Sequence, residues 1–403
     1  MTDLAEHVRI EDPDFYSGDP YPVLARLRKE APIFYYEPLD TWVLTRYEDV
    51  RSVSRAPELF TSTSGTLLND VRYGNVLNSF FPADAALIST TDPPLHREVR
   101  RTITPPFVPT ATAHMEDEVR ACAVALLDRL EPGKPVDWLE LVAVPFPLQV
   151  IALLFGLPLD RIGDLRAWSD EMVKFGTPLS REELAQTAAD LEPMREYFAE
   201  QFERKRAEPG PDLLTSLLDA EMGGEKLSQA NLQTLATGVI VAGNETMRNL
   251  LAGTICALAE HPEQMARLSR DRSLIPGATE EFLRWVSPIT GFVRRVTQDT
   301  ELSGQKLVQG QFVYMLYMAA NRDEDVFESP EILNVARPRD PMHVSLGWGP
   351  HVCLGAPLAR LEGRVLLEEL LNRFSEVELV GTPKRLPSVM QTAWTDIHVQ
   401  FGA

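Results

Sequence analysis

The stretch from Leu232 to Ala259 is apolar on nearly every face, so a helix built from it must pass through a core instead of lying on one. The rest of the chain has to wrap it. With 403 residues and 44% apolar composition, the chain can bury a core large enough to do so. Halfway along, Ala242-Gly243-Asn244-Glu245-Thr246-Met247 sets a carboxylate beside a hydroxyl, where burying either without a partner costs about 1–3 kcal/mol. Gly243 costs about 1 kcal/mol more relative to alanine. Three unfavourable choices in one turn point to function outweighing stability. The bland alternative is a Thr246 bonded back to its own helix and a Glu245 in a structural ion pair.

A second segment carries metal chemistry. Gly347-Trp348-Gly349-Pro350-His351-Val352-Cys353-Leu354-Gly355 runs directly into a strongly helical stretch from Ala356 to Arg373. The glycines let the backbone approach a flat cofactor and adopt positive φ, and Pro350 stiffens the turn. Peptide N–H groups of the loop and of the following first turn would face the sulfur of Cys353. A thiolate of low pKa, ready for a metal, is the expectation. The alternative for a single Cys is a buried free thiol at a helix N-terminus.

Composition excludes other classes. The net charge of −20 disfavours nucleic acid and anionic membrane as generic partners. Three cysteines, at 122, 256 and 353, make no disulfide framework and suit a reducing compartment. The acidic start Met1-Thr2-Asp3-Leu4-Ala5-Glu6 has neither a basic nor an apolar export region, so the chain reads as cytoplasmic. Val142 to Leu159 is apolar, but Pro145, Pro147, Gln149, Gly156 and Pro158 interrupt it, and a buried helix is expected. Elsewhere the pattern predicts helices over 21–30 and 47–55, strands over 33–36 and 41–45, helices from 94 to 285 and short strands over 302–317. A long segment over 61–93 reads as a lid or binding loop. The fold class is mainly α with a minor β-sheet, with no composition break that argues for a domain boundary.

The Cys loop resembles the haem-ligand signature of the cytochrome P450 family, matching at Gly347, Gly349, His351, Cys353, Gly355 and Leu358-Ala359-Arg360-Leu361-Glu362. Leu346 stands where the family has Phe beside the sulfur. The mid-helix segment resembles the family's oxygen-activation motif, with Met247 in place of the usual Thr or Ser. The resemblance runs from about Asp19 and implies one α-rich triangular domain over 1–403, with residues 1–18 as a terminal extension. It implies haem b, with Cys353 as axial iron ligand. Gly243 and Ala242 would let the central helix pass the haem face, Thr246 would hydrogen-bond dioxygen and water, and Glu245 would relay protons.

Further positions follow by the same resemblance. Asp92-Pro93-Pro94-Leu95-His96-Arg97-Glu98-Val99-Arg100 places His96 and Arg100 on one helical face as propionate ligands, joined by Arg294, with Arg295 as its rival, and by His343. Glu281, Arg284 and Arg337 would form a structural network behind the haem. Ala320 to Phe327 matches a fold marker, read as a solvated turn and not a calcium loop. Substrate lining would come from Val239, Ala242, Ile289, Val293 and Trp394, with the 67–81 loop, for a lipophilic terpenoid, steroid or other lipid-like compound. The implied activity is dioxygen-dependent hydroxylation. Electrons would come from a ferredoxin or flavodoxin with its NAD(P)H-dependent reductase, docking at a basic island of Arg97, Arg101, Arg360 and Arg364. The rivals are a haem-thiolate peroxygenase or isomerase, a non-catalytic haem sensor, and a zinc protein using His343, His351 and Cys353.

Overall fold

The structure, a computed structural model, describes residues 2–402 apart from 76, 77, 79, 83, 175, 176 and 178. Part of the 67–81 loop, Val76, Leu77 and Ser79, therefore lies outside the described residues. The all-round apolar segment forms one helix, Gln229–Glu260, whose N-terminus is capped by Ser228 accepting from the Asn231 N–H. Its side chains join a core built with the helices Glu116–Leu127, Pro145–Phe155, Ile162–Val173, Glu192–Ala207, Ile275–Val286 and Ala356–Arg373. The apolar Val142 to Leu159 stretch becomes a π-helical turn, Leu139–Ala143, followed by the buried helix Pro145–Phe155. Gly156, in the left-handed region at φ 61°, ends it.

The minor β component is a five-stranded sheet ordered Ile33–Tyr36, Thr41–Leu44, Phe312–Met315, Phe292–Val296, Phe60–Thr61. Phe312–Met315 runs parallel to Thr41–Leu44 and antiparallel to Phe292–Val296, which registers Arg294 against Val313. A smaller sheet joins Glu376–Leu379, His398–Gly402 and Val136–Asp137. Two smaller cores flank this β region, one around Tyr47, Val50 and Val53, the other around Leu24, Leu27 and Tyr314. No helix among the described residues is long and apolar enough to cross a membrane.

The first residues, expected as a terminal extension, pack onto the rest of the chain, with Leu4, Val8, Ile10, Phe15 and Tyr16 buried in the second of those cores. Their apolar spacing is too irregular to announce packing. The 320–327 turn is not wholly solvated. Asn321, Arg322 and Asp323 are buried, and Asp323 accepts from the Tyr47 N–H at 2.8 Å, capping a helix start that Arg46 leaves open. Charge density misled the reading, since Arg322, Asp323 and Glu324 each have a partner.

Candidate active site

The Cys loop is held from three directions. Within it, the Cys353 N–H donates to Leu346 O at 2.7 Å and the Gly347 N–H to Val344 O at 2.8 Å. Gly347 and Gly349 have φ of 70° and 66°, and a Cβ on Gly349 would lie 2.3 Å from Ser54 O. Only glycine lets the loop meet the Tyr47–Arg55 helix this closely. From the Leu95–Ile103 helix, Arg100 Nη1 donates to Pro350 O at 3.1 Å and to Val352 O at 2.7 Å. From behind, Asn321 accepts from the Val344 N–H and donates to Ser345 Oγ and Ser287 Oγ.

That rear support belongs to the expected carboxylate–guanidinium network. Arg284 grips Glu281 through two bonds of 2.8 Å, and Arg337 Nε adds one of 3.0 Å. Arg284 Nη1 also donates to the carbonyls of Asn321 and Pro330, both at 2.9 Å.

Cys353 is exposed by surface area yet ringed by protein atoms, as a group on the wall of an internal recess is. Opposite chemistry comes from the central helix. Ala242 is exposed and Val239 and Thr246 are half-buried, although Ile240, Asn244 and Glu245 beside them are fully covered. Val239, Ala242 and Thr246 share one helical face, so a buried helix keeps one stripe open. An open stripe on a buried helix and a thiol with exposed surface fit the two faces that a flat prosthetic group would need.

The polar rim fits as well. His96 is 1% exposed with neither ring nitrogen hydrogen-bonded, and its ring lies 4.2 Å from that of His351. Burial, with the His351 and Arg100 charges beside it, pushes the His96 ring down to about 4, so it is neutral. Arg294 is buried, with Nη1 on its neighbour Val293 O and no carboxylate paired to it among the described residues. A buried cation without an anion is costly, and an anionic group would resolve it. Its rival Arg295 faces outward, bonded to Gly310 O. His351 Nε2 lies 3.3 Å from Ser62 Oγ and 3.8 Å from Asp92 Oδ1.

Other positions fall elsewhere. Burial drives the Cys353 thiol above its ordinary value, against the Gly355 and Ala356 N–H groups and the Arg100 and Arg360 charges. The loop's donors and the two guanidinium groups act in the expected direction, favouring a thiolate. His343 Nε2 sits 3.2 Å from Glu280 Oε2, within ion-pair range but off the line of a hydrogen bond, while Nδ1 accepts from the Ser345 N–H. Its Nε2 thus lies beside Glu280 and, like the ring nitrogens of His96, is buried without a hydrogen bond. Burial opposes ionisation of Glu280, but His343 and Arg360 hold it at about 2. Gly243 admits Ile151, whose Cδ1 would be 2.6 Å from an added Cβ. It serves helix packing, and Ala242 is the residue on the open face.

Val293 and Trp394 are packed into core, at 0% and 5% exposed, so the expected lining shrinks to Val239 and Ala242, with Ile289 nearly covered at 8%. The four-arginine island shrinks too. Arg360 is bidentate on Glu280, and Arg364 binds Glu116 and Glu368. Arg97 and Arg101 remain exposed, with Arg100, on a recess of about 740 Å³ that also takes in Val352. His343 and His351 face different partners, and no cluster of three His, Cys, Asp or Glu forms a metal site among the described residues.

Both hydrogen-bond arrangements of the bland alternative at mid-helix are present. Thr246 Oγ1 donates to Ala242 O at 2.7 Å. Glu245 Oε1 accepts from Ser169 Oγ at 2.8 Å and Asn244 Nδ2 at 3.1 Å, and Oε2 lies 3.6 Å from Arg248. Ser169 was not legible in the sequence, since it lies far from the motif. Arg248 went unnamed as well, although its i+3 spacing from Glu245 was a signal for it.

A family model described as Cytochrome P450 matches residues 175–394. Linalool 8-monooxygenase of Pseudomonas putida is 33% identical over 402 residues, covering 98% of each chain. Steroid C26-monooxygenase of Rhodococcus jostii is 32% identical, covering 99% of this chain and 85% of the relative. The crystal structure of CYP108D1 from Novosphingobium aromaticivorans superposes with a TM-score of 0.89 at 28% identity, covering 100% of this chain and 99% of that one. Matched from end to end in sequence and fold, the chain belongs to the cytochrome P450 family and is a haem-thiolate monooxygenase that uses dioxygen and electrons from redox partners.

Proposed function

We propose that the chain hydroxylates a lipophilic small molecule, of terpenoid, steroid or other lipid-like class, in a recess bounded by Val239, Ala242 and Cys353. The observation that carries this is an exposed alanine in the middle of a buried helix, with a thiol open to the same kind of interior space. Val239 and Ala242 are apolar, and Arg72, the one candidate anchor for a substrate carboxylate, is exposed on an outer helix. The substrates in the names of the relatives, linalool and steroid, are of this class.

Cys353 would hold the iron of haem b, a group that when bound supplies the chemistry of dioxygen activation and C–H hydroxylation. Gly347 and Gly355 would let the loop backbone run close to it, His351 would support the rim, and His96, Arg294 and the unbonded Nε2 of His343 would be the groups with free valence for its propionates. Arg100 spends Nη1 on the loop and leaves its remaining N–H groups for the same purpose. Thr246 and Glu245 manage proton supply from the central helix. Ferredoxin or flavodoxin, reduced by an NAD(P)H-dependent reductase, would dock at the Arg97 and Arg101 side. Three free cysteines support a cytoplasmic setting. A helix in contact with most of the major helices supports one domain.

The test is spectral. The reduced protein under carbon monoxide must show the red-displaced Soret band of sulfur ligation, and Cys353→Ser must lose it. A screen of terpenoid and steroid compounds against the ferric protein must yield high-spin shifts. Ligands confined to small charged molecules would overturn the substrate class.

A further inference from the structure

We infer that Ser169 is a positioning residue for the Glu245 carboxyl, so that the Ile162–Val173 helix governs how the central helix presents that group. This rests on the reading that Glu245 handles protons. Ser169 is 0% exposed in mid-helix, where its neighbours Leu165, Trp168 and Met172 belong to the apolar core. Alanine would be the better helix former and would bury no polar atom. The hydroxyl instead donates to Glu245 Oε1 at 2.8 Å and accepts from Asn244 Nδ2, which itself reaches the same oxygen at 3.1 Å.

Three polar side chains thus close a ring on one carboxylate oxygen. The other oxygen lies 3.6 Å from Arg248 Nη1, which reaches Asp170 Oδ1 at 3.3 Å. Two consecutive residues of the Ile162–Val173 helix, Ser169 and Asp170, therefore hold Glu245 and Arg248, one turn apart on the central helix. Burial disfavours the Glu245 carboxylate, while Arg248 and Ser169 favour it. Thr246, the next residue, spends its hydroxyl on Ala242 O and does not hold the carboxyl. Asn244 and Arg248 hold it from its own helix, and Ser169 supplies the hydrogen bond from across the helix interface.

The experiment compares carboxyl infrared bands of the ferric holoprotein for wild type, Ser169→Ala, Ser169→Thr and the double variant Ser169→Ala/Glu245→Gln. Loss of one hydrogen bond to a carboxylate should raise the protonated-to-ionised ratio of Glu245 about tenfold. A new protonated band should appear in Ser169→Ala, vanish in the double variant and be suppressed again by Ser169→Thr. A folded Ser169→Ala protein with the wild-type band overturns the inference, as does a new band that survives in the double variant. Should Ser169→Ala not fold, Ser169→Cys, a weaker donor of similar size, must move the band the same way. If Glu245→Gln leaves peroxide release per dioxygen unchanged while Ser169→Ala still alters the band, the proton reading falls and the positioning role stands.

Discussion

Thr246 is bonded only to its own helix, so its hydroxyl contributes little to folding and its value must lie in what it faces. Thr246→Ala should leave the melting temperature within a few degrees while product per dioxygen falls about tenfold or more and peroxide rises. A haem sensor would show no such change. Glu362 is a different case. It is 2% exposed on the Ala356–Arg373 helix, one carboxylate oxygen has no partner, and burial holds its carboxyl well above the usual range. A group whose pKa rises on folding favours the native state below its unfolded pKa and loses that contribution as pH rises. Denaturant titrations at about pH 5 and about pH 8 should therefore show Glu362→Gln gaining stability relative to wild type at the higher pH. Cys353, Thr246 and Glu245 stood out in the sequence because a thiol ahead of a helix and polar groups inside an apolar helix call for a reason, although Thr246 and Glu245 also make structural contacts. The approach of His343 to Glu280 was not legible, because a histidine's neighbour depends on a carboxylate remote in sequence.

At the scale of elements, the two glycine types in the Cys loop separate cleanly. Gly349 has positive φ and no room for a Cβ, whereas Gly355 has φ −78° and its nearest obstacle is Cys353 Sγ at 4.0 Å. Gly349→Ala should lower haem content and stability markedly, and Gly355→Ala should fold with an altered Soret position, both read from purified pigment. Behind the loop, Arg284→Ala would leave the buried Glu281 with Arg337 as its remaining cation and should cost about 1–3 kcal/mol, measured by denaturant unfolding. Helices and strands were legible wherever periodicity was strong, as at 21–30, 33–36, 41–44 and 47–55. The π-helical turn at Leu139–Ala143 was not, because it is a local answer to how the following helix docks. Gly243 was assigned to a cofactor when its true neighbour, Ile151, could be known only from helix packing.

Across the molecule, a net charge of −20 leaves Arg97 and Arg101 as a small cationic feature in a negative field. Reversing both to Glu should slow reduction by an acidic ferredoxin at low salt, and the difference should shrink as ionic strength shortens the Debye length. Equal slowing at every salt concentration would point away from docking. The fold class was legible from one helix that had to be interior, but the distribution of charge was not, since Arg360 and Arg364 carry partners that only packing reveals. The Cys loop touches Ser54 on the sheet side, Arg100 on the helical side and Asn321 beneath. Because these anchors belong to different cores, neither half can melt without slackening the loop. Colour and calorimetry should therefore trace a single transition, with the pigment bleaching as the heat is absorbed.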